Sequence, residues 1–557
     1  MNIPTLLTRT VERFPHRPAL VYAGRRWTYA QWYARMGRLA DALSGLGVRP
    51  SDRVGFYMHT GEASVTTYFA CQRLGAVAVP INFRLSPGEV AYIVQDSGAR
   101  VLAYDQPLTE NALAVAKRVR VVHDYICCAE DGGAVPPGHH HFEALAEQTE
   151  TDGRTPRPDP MSEDRSALVY TSGTTGRPKG VMHSHGNDVA IAMNCVMEYS
   201  LSYRDTALHV APLYHVGGMQ AYFIPHLMVG AVNVIIGRYD ALGTLQTIQA
   251  ERATTLFAVP TQIQEMLFHP RFAEFDVSSL RMITTGGAAI AAATMKRVIR
   301  ELCPNVYNGY GMTEASLALL LHPEEAITHL GSCGKPTLIT DCRIVPHVPG
   351  RDLTPGAAVE PEELREPVET TQPDEVGQLI VRGPQTMLGY WNDPVETEHK
   401  IKDGWLYTGD LFSRDADGFY TFRGRTDDLI VSGGENIYPR EVEEVLYRCP
   451  GVKEAAVIGL PDQKWGSVIT AFIVKGSPDL TDEQVDDFCR ASGGLAPFKR
   501  PRKIVFLDAL PTNPSGKVLK RELAVRFVEK ARVDGRAPAL RAGRSCCGPD
   551  DQPPRGA

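Results

Sequence analysis

Short apolar, β-rich runs alternate with helical stretches from residue 53 to about residue 330, and that alternation admits few folds. "RVGFYM" at 53–58 and "AVAVPI" at 76–81 read as strands with a helical stretch between them, and "VLAY" at 101–104 resumes the rhythm. Strands alternating with helices make βαβ units, so the expectation is an α/β protein built on a largely parallel sheet. Upstream, Trp32, Met36, Leu39, Leu43 and Leu46 recur at helical spacing and stop at Gly47. That spacing gives a helix one apolar face and a glycine end.

A chain of 557 residues has room for several domain-sized units. After Arg425 the pattern changes: "VKEAAVIGL", "SVITAFIVKG" and "KIVFLDAL" read as strands, and "TDEQVDDFCRA" as a helix with a Thr cap. The expected organisation is a large N-terminal domain over 1–425, with βαβ-type subdomains and a small β unit. A small mobile α+β domain over 426–530 and a disordered tail over 531–557 follow. Residues 127–160, with His139, His140 and His141, read as an irregular solvated connection, and 347–375 as a polar, Pro-rich insertion.

The net charge of −7 leaves no basic footprint for nucleic acid. The 11 Cys follow neither zinc nor disulfide spacing, which suits a reducing cytoplasmic compartment. The N-terminus lacks a signal-peptide pattern and the C-terminus a targeting box. Residues 216–236 carry no Asp, Glu, Lys or Arg, a length able to span a bilayer. Pro225, His226 and three glycines argue instead for a buried helix, a stop at Gly230 and a buried strand.

The apolar run "SALV" opens directly into "YTSGTTGRPKG" at 170–180. Gly173, Gly176 and Gly180 allow close backbone approach. Thr171, Ser172, Thr174 and Thr175 offer hydroxyls, and Lys179 a mobile positive charge; together they suit a polyphosphate. The Walker loop fails, because Pro178 stands where its second glycine should be and Gly180 follows Lys179. "NGYGMTE" at 308–314 offers Tyr310 as a stacking face, Thr313 as a donor and Glu314 as a hard oxygen ligand. "YTGD" at 407–410 places Asp410 at the end of a short turn, where one carboxylate can accept from two vicinal hydroxyls.

The order T-S-G-T-T-G-x-P-K-G resembles the phosphate loop of the AMP-forming adenylating superfamily, which includes acyl-CoA synthetases and adenylation domains. Six such motifs follow the family's order between about residue 5 and residue 525. The resemblance implies ATP, Mg²⁺ and coenzyme A as co-substrates and cofactor. It places ATP or AMP against residues 171–176 and Lys179, against Gly286, Gly287 and Ala288, and against Asn308, Gly309, Tyr310, Gly311, Met312 and Thr313. Asp410 and Arg425 would hold the ribose, with Phe422 packing nearby. Glu314 and Thr174 would hold the metal. His215 of "APLYHVGG" would stand beside the incoming carboxylate, with Gly217, Gly218, Gly286 and Gly311 leaving room for the acyl group. Lys517, in "PTNPSGK", would reach the site during adenylation, Asp427 would be the hinge, and Gly433 and Gly434 would line the CoA channel. Lys517, Thr174, Glu314 and His215 are thus the expected catalytic set.

The implied reaction is ATP-dependent activation of a carboxylic acid, fatty or medium-chain, through an acyl-adenylate to its CoA thioester. The alternative acceptor is a carrier protein. No amino-acid substrate is expected, since "LYHVGG" holds no carboxylate for an ammonium. Monomer and homodimer both stay open.

Overall fold

The computed structural model describes residues 1–129, 133–147, 159–171, 177–288, 290, 292–346, 369, 372–432, 435–462, 464–491, 495–512, 518–520, 522–525 and 527. The protein is mixed α/β, with a large N-terminal and a small C-terminal unit. The first holds Met1–Leu429, Tyr438–Glu444 and Thr512, and the second Ile430–Ile437 and Val445–Pro511.

Two large sheets form the first unit. One runs in the order Lys335–Pro336, Ser316–Leu321, Val306–Met312, Met282–Gly286, Thr255–Phe257, Thr206–His209, Val232–Ile235, Pro18–Tyr22, Arg25–Thr28. From Val306–Met312 to Pro18–Tyr22 every neighbouring pair is parallel, and antiparallel strands close both edges. The second runs Gly389–Tyr390, Lys179–Ser184, Arg165–Thr171, Val77–Ile81, Arg53–Tyr57, Val101–Asp105, Asp124–Cys128, His140–His141. It too is parallel at its centre, from Arg165–Thr171 onward. A smaller antiparallel sheet joins Asp341–Val345, Gly377–Arg382, Trp405–Arg414, Ile401–Lys402 and Tyr420–Arg425.

The helix with the apolar stripe spans Tyr29–Gly45, started by a Thr28–Gln31 capping box. Its stripe meets Phe69 and Phe223 edge-on through Trp32, whose Nε1 donates to Thr66 Oγ1 at 2.8 Å. The same helix buries Arg35, which pairs with Glu62 and Glu143 at 2.7 Å each. Glu143 lies in the helix Phe142–Ala146, and Phe142 is fully buried. The reading of 127–160 as irregular is corrected for 140–146, where a short strand and this helix form, because the buried guanidinium needs the helix's carboxylate as its partner. The three histidines are corrected as well: His139 stacks on Tyr125, His140 pairs with Asp124 at 3.1 Å, and His141 accepts from Glu143 N.

The charge-free stretch forms helical segments Val216–Gly218, Met219–Phe223 (π) and Ile224–Val229. Gly230 ends it at φ +83, before the strand Val232–Ile235. Among the described residues no helix is long and apolar enough to cross a membrane.

In the second unit Val452–Asp462 pairs antiparallel with Gly466–Lys475, which runs parallel to Lys503–Leu507. Ala456, Ile458, Leu460, Phe472 and Leu510 form its core. The helix Asp482–Ala491 begins with a reciprocal Thr481–Gln484 cap. Most of the 347–375 insertion and the tail beyond 527 lie outside the described residues.

Candidate functional site

The loop of 172–176 connects Arg165–Thr171 to the antiparallel strand Lys179–Ser184, with Thr171 opposite Lys179. Ser172, Gly173, Thr174, Thr175 and Gly176 lie outside the described residues, as do Gly433, Gly434 and Lys517. The loop's base is firmly held. Tyr170 Oη donates to Asp96 Oδ2 at 2.6 Å, and Trp391 N donates to Gly180 O at 2.7 Å. A Cβ on Gly180 would meet the Tyr170 ring at 3.0 Å. Lys179 is not the mobile charge its sequence context suggests. Its ammonium pairs with Glu396 at 2.7 Å and lies 5.4 Å from the Tyr390 ring centre.

The "NGYGMT" run forms the strand Val306–Met312 and enters a turn. Ser316, at φ +50, sends the chain back as the antiparallel strand Ser316–Leu321. Tyr310 Oη donates to Asp410 Oδ2 at 2.6 Å. Burial, then the Asp410 charge, pushes that phenol well above its ordinary range, so it stays a neutral donor. Asp410 Oδ1 lies 3.5 Å from Arg425 Nε, and the two residues face each other across neighbouring strands. Phe412 meets Tyr310 and Phe422 edge-on at 4.8 and 5.5 Å. The expected turn at "YTGD" is corrected: Asp410 lies within the strand Trp405–Arg414, after Gly409 at φ +77. Asp410 pairs with Arg425 on one side, while the pairing with Gly377–Arg382 skips from Tyr407 to Leu411, a bulge that the left-handed Gly409 makes.

Glu314 is 7% exposed, and its Oε1 accepts from Tyr390 Oη at 2.8 Å. Asn308 is committed elsewhere, donating through Nδ2 to Ser332 O at 2.9 Å. Met312 packs with Tyr310 against the core beneath the smaller sheet, and Thr313 opens the turn.

His215 is half-buried, its ring 4.6 Å from that of Tyr214. Burial, then the Arg84 charge, pushes its pKa down to about 4, so the imidazole is neutral near pH 7. Its Nε2 is shielded from solvent and has no hydrogen-bond partner. That leaves a polar atom able to receive or donate a hydrogen bond to a ligand.

The glycines expected to leave acyl room divide into two groups. A Cβ on Gly218 would meet Pro212 O at 2.4 Å, on Gly286 Gly309 O at 2.6 Å, and on Gly311 Ser316 O at 2.0 Å. These three, and Gly309 against Leu317 at 2.7 Å, admit the protein's own atoms at close range. Gly217 faces the Phe257 ring at 3.4 Å, and Gly287, at φ +78, faces open space. Gly287 and Ala288 follow the strand Met282–Gly286. Phe257 ends the adjacent strand Thr255–Phe257. Asp427 sits in the short turn Thr426–Asp428, just before the two units part.

Tyr390, Glu396 and Phe257 were not singled out in the sequence. Tyr390 lies far from Glu314 along the chain, and no local pattern marks it.

A family model described as AMP-binding enzyme matches residues 7–391, and one described as AMP-binding enzyme C-terminal domain matches 441–517. The chain is 36% identical over 524 residues to feruloyl-CoA synthase of an Amycolatopsis species, covering 93% of this chain and 98% of that one. It is 34% identical over 506 residues to a long-chain-fatty-acid–CoA ligase of Mycobacterium tuberculosis, covering 90% and 93%. The crystal structure of an anthranilate CoA ligase with anthranoyl-AMP superposes with a TM-score of 0.84 at 28% identity, covering 96% and 98%.

Proposed function

The chain belongs to the AMP-binding enzyme family, and on that premise we propose that it joins an apolar, aromatic carboxylic acid to coenzyme A. It is an ATP-dependent acid:CoA ligase that forms AMP. The acid and the residue roles are the reading offered here. The observation that carries it is the pair of carboxylates at one strand end: Glu314, held by Tyr390, and Asp410, held by Tyr310 and Arg425.

A carboxylate is a poor electrophile until an oxygen is made a leaving group. Its attack on the α-phosphate of ATP expels pyrophosphate and leaves an acyl-adenylate. No general base is needed, since the acid arrives ionised. Asp410 accepts from the ribose hydroxyls, with Arg425 beside it and Tyr310 Oη fixing its other oxygen. Glu314 suits a hard cation: its carboxylate is nearly buried and one oxygen is already oriented. Mg²⁺ held there with Thr174 would screen the phosphate charge. The hydroxyls of Thr171, Ser172, Thr174 and Thr175 and the ammonium of Lys517 stabilise the charge that develops on the phosphate. His215 presents its unpartnered Nε2 to the substrate carboxylate as a neutral group. Asp427 is the hinge between the two half-reactions, and Gly433 and Gly434 admit the pantetheine arm.

An aromatic acid suits the aromatic rings that stand near His215, Phe257 against Gly217 and Tyr214 beside His215 itself. Stacking on such faces rewards an aromatic ring beyond the area it buries. The alkyl-chain expectation leaned on glycines whose space the backbone occupies at Gly218 and Gly286. Feruloyl and anthranilate ligases stand among the similar proteins, and a long-chain-fatty-acid ligase stands beside them as the competing class.

The test is a panel of phenylpropenoates, arylacetates and straight-chain acids, scored by AMP and acyl-CoA formation. Aromatic acids are expected to exceed octanoate and longer chains in kcat/KM by about tenfold or more, the worth of one good apolar contact. Faster turnover of straight-chain acids would reverse the assignment. AMP release that needs an acyl carrier protein and ignores CoA would reveal the alternative acceptor.

A further inference from the structure

Glu314 is held by a residue that is itself fixed on several sides. Tyr390, 5% exposed, sits in the short strand Gly389–Tyr390, paired with Val181. Its backbone N donates to Thr397 Oγ1 at 2.9 Å, and that hydroxyl donates to Asp393 O at 2.8 Å. Gly389, at φ +136, lies so near Thr397 that a Cβ would meet its methyl at 2.6 Å. Lys179, over the ring, is paired with Glu396 one helical turn beyond Asp393. The carbonyl of Glu314 accepts from Met387 N at 2.8 Å, so the segment 387–390 grips both its backbone and its side chain.

We propose that Tyr390 is a positioning residue that orients the Glu314 carboxylate toward the metal–nucleotide complex, with the Lys179–Glu396 pair locking the Tyr390 ring. The proposal rests on the reading of Glu314 as the cation's ligand. A terminal carboxylate torsion is broad and nearly two-fold, so an unheld Glu314 would sample orientations that no cation can use. Tyr390 Oη engages Oε1 and leaves Oε2 to meet the cation. Lys179 serves this arrangement through its ion pair: its charge is matched by Glu396, and its position fixes the ring face.

Tyr390→Phe removes one oxygen and keeps the ring. Mn²⁺ binding to the enzyme–ATP complex, followed by electron paramagnetic resonance, reads the effect without turnover. The dissociation constant should rise about tenfold, the worth of one hydrogen bond to a charged group, while the melting temperature stays near that of the wild type. Glu396→Gln should move the same constant in the same direction by less. Glu314→Gln should weaken Mn²⁺ binding more than either. If Glu314→Gln leaves Mn²⁺ binding unchanged, the metal reading of Glu314 fails. If Glu314→Gln weakens it and Tyr390→Phe does not, the positioning role alone is overturned. Should Tyr390→Phe fail to fold, an unchanged constant in Glu396→Gln overturns it instead.

Discussion

At the scale of single residues, the glycines of the nucleotide corner separate flexibility from packing. Gly311 lies in an extended strand, and its missing side chain leaves room for the Ser316 carbonyl at 2.0 Å from where a Cβ would stand. Gly311→Ala must therefore push two paired strands apart. We expect a loss of about 1–3 kcal/mol, typical of overpacking, seen as a lower denaturation midpoint whether or not nucleotide is present. An unchanged midpoint would mean that the corner relaxes freely. Gly287 differs, since its left-handed backbone faces open space, and there the requirement is conformational. Both were legible as special glycines in the sequence. Which atom takes the vacated space was not, because Ser316 meets Gly311 only after the chain reverses.

At the scale of elements, the strand Lys179–Ser184 and the helix His185–Glu198 carry a buried polar pair that local pattern did not reveal. His183 and Asp188 are fully buried, with Nδ1 and Oδ1 4.0 Å apart. Ser166 Oγ donates to Asp188 Oδ2 at 2.6 Å and Tyr68 Oη to the same oxygen at 3.4 Å. Burial pushes the Asp188 carboxyl up to about 7 and the His183 imidazole down to about 4. Folded Asp188 keeps its proton at pH values where an unfolded Asp has lost it. Its contribution is thus whole below about pH 4 and is lost as pH rises through about 7. His183 acts in the opposite sense: the unfolded ring binds a proton below about pH 6.5, so stability falls as pH falls toward 4. Asp188→Asn removes the first slope and keeps the second. The melting-temperature difference, variant minus wild type, should therefore grow as pH rises from about 5 to about 8. A difference flat across that range would show that Asp188 titrates as an ordinary carboxyl.

At the scale of the whole molecule, the proposed mechanism separates adenylate formation from thioester formation. Tyr310, Glu314, Asp410, Arg425 and His215 belong to the first unit, and Lys517 lies outside the described residues. Lys517→Ala should slow acyl-adenylate formation by roughly a hundredfold or more, the effect of removing one charge-stabilising donor. Conversion of supplied acyl-adenylate to thioester should stay within about twofold. Single-turnover assays of each half-reaction measure both, and equal loss in the two would remove Lys517 from the first step. Many strands and helices of both units were readable from period and caps, as the Thr481 start and the Gly230 stop illustrate. The helix Phe142–Ala146 escaped because its purpose, a carboxylate for Arg35, lies in another helix.

What the sequence determined by itself was the order of strands, helices and motif segments, and with it a glycine-rich strand end at residues 308–314. These follow from residues close together in the chain, where backbone preference and apolar period act directly. Tertiary structure alone decided that Tyr390 holds Glu314, that Lys179 is matched by Glu396, that Asp410 lies inside a strand, and that Gly218, Gly286 and Gly311 admit backbone. Each of these depends on a partner distant in sequence, and burial makes the pairing specific, because a polar group removed from water must find its counterpart within the fold.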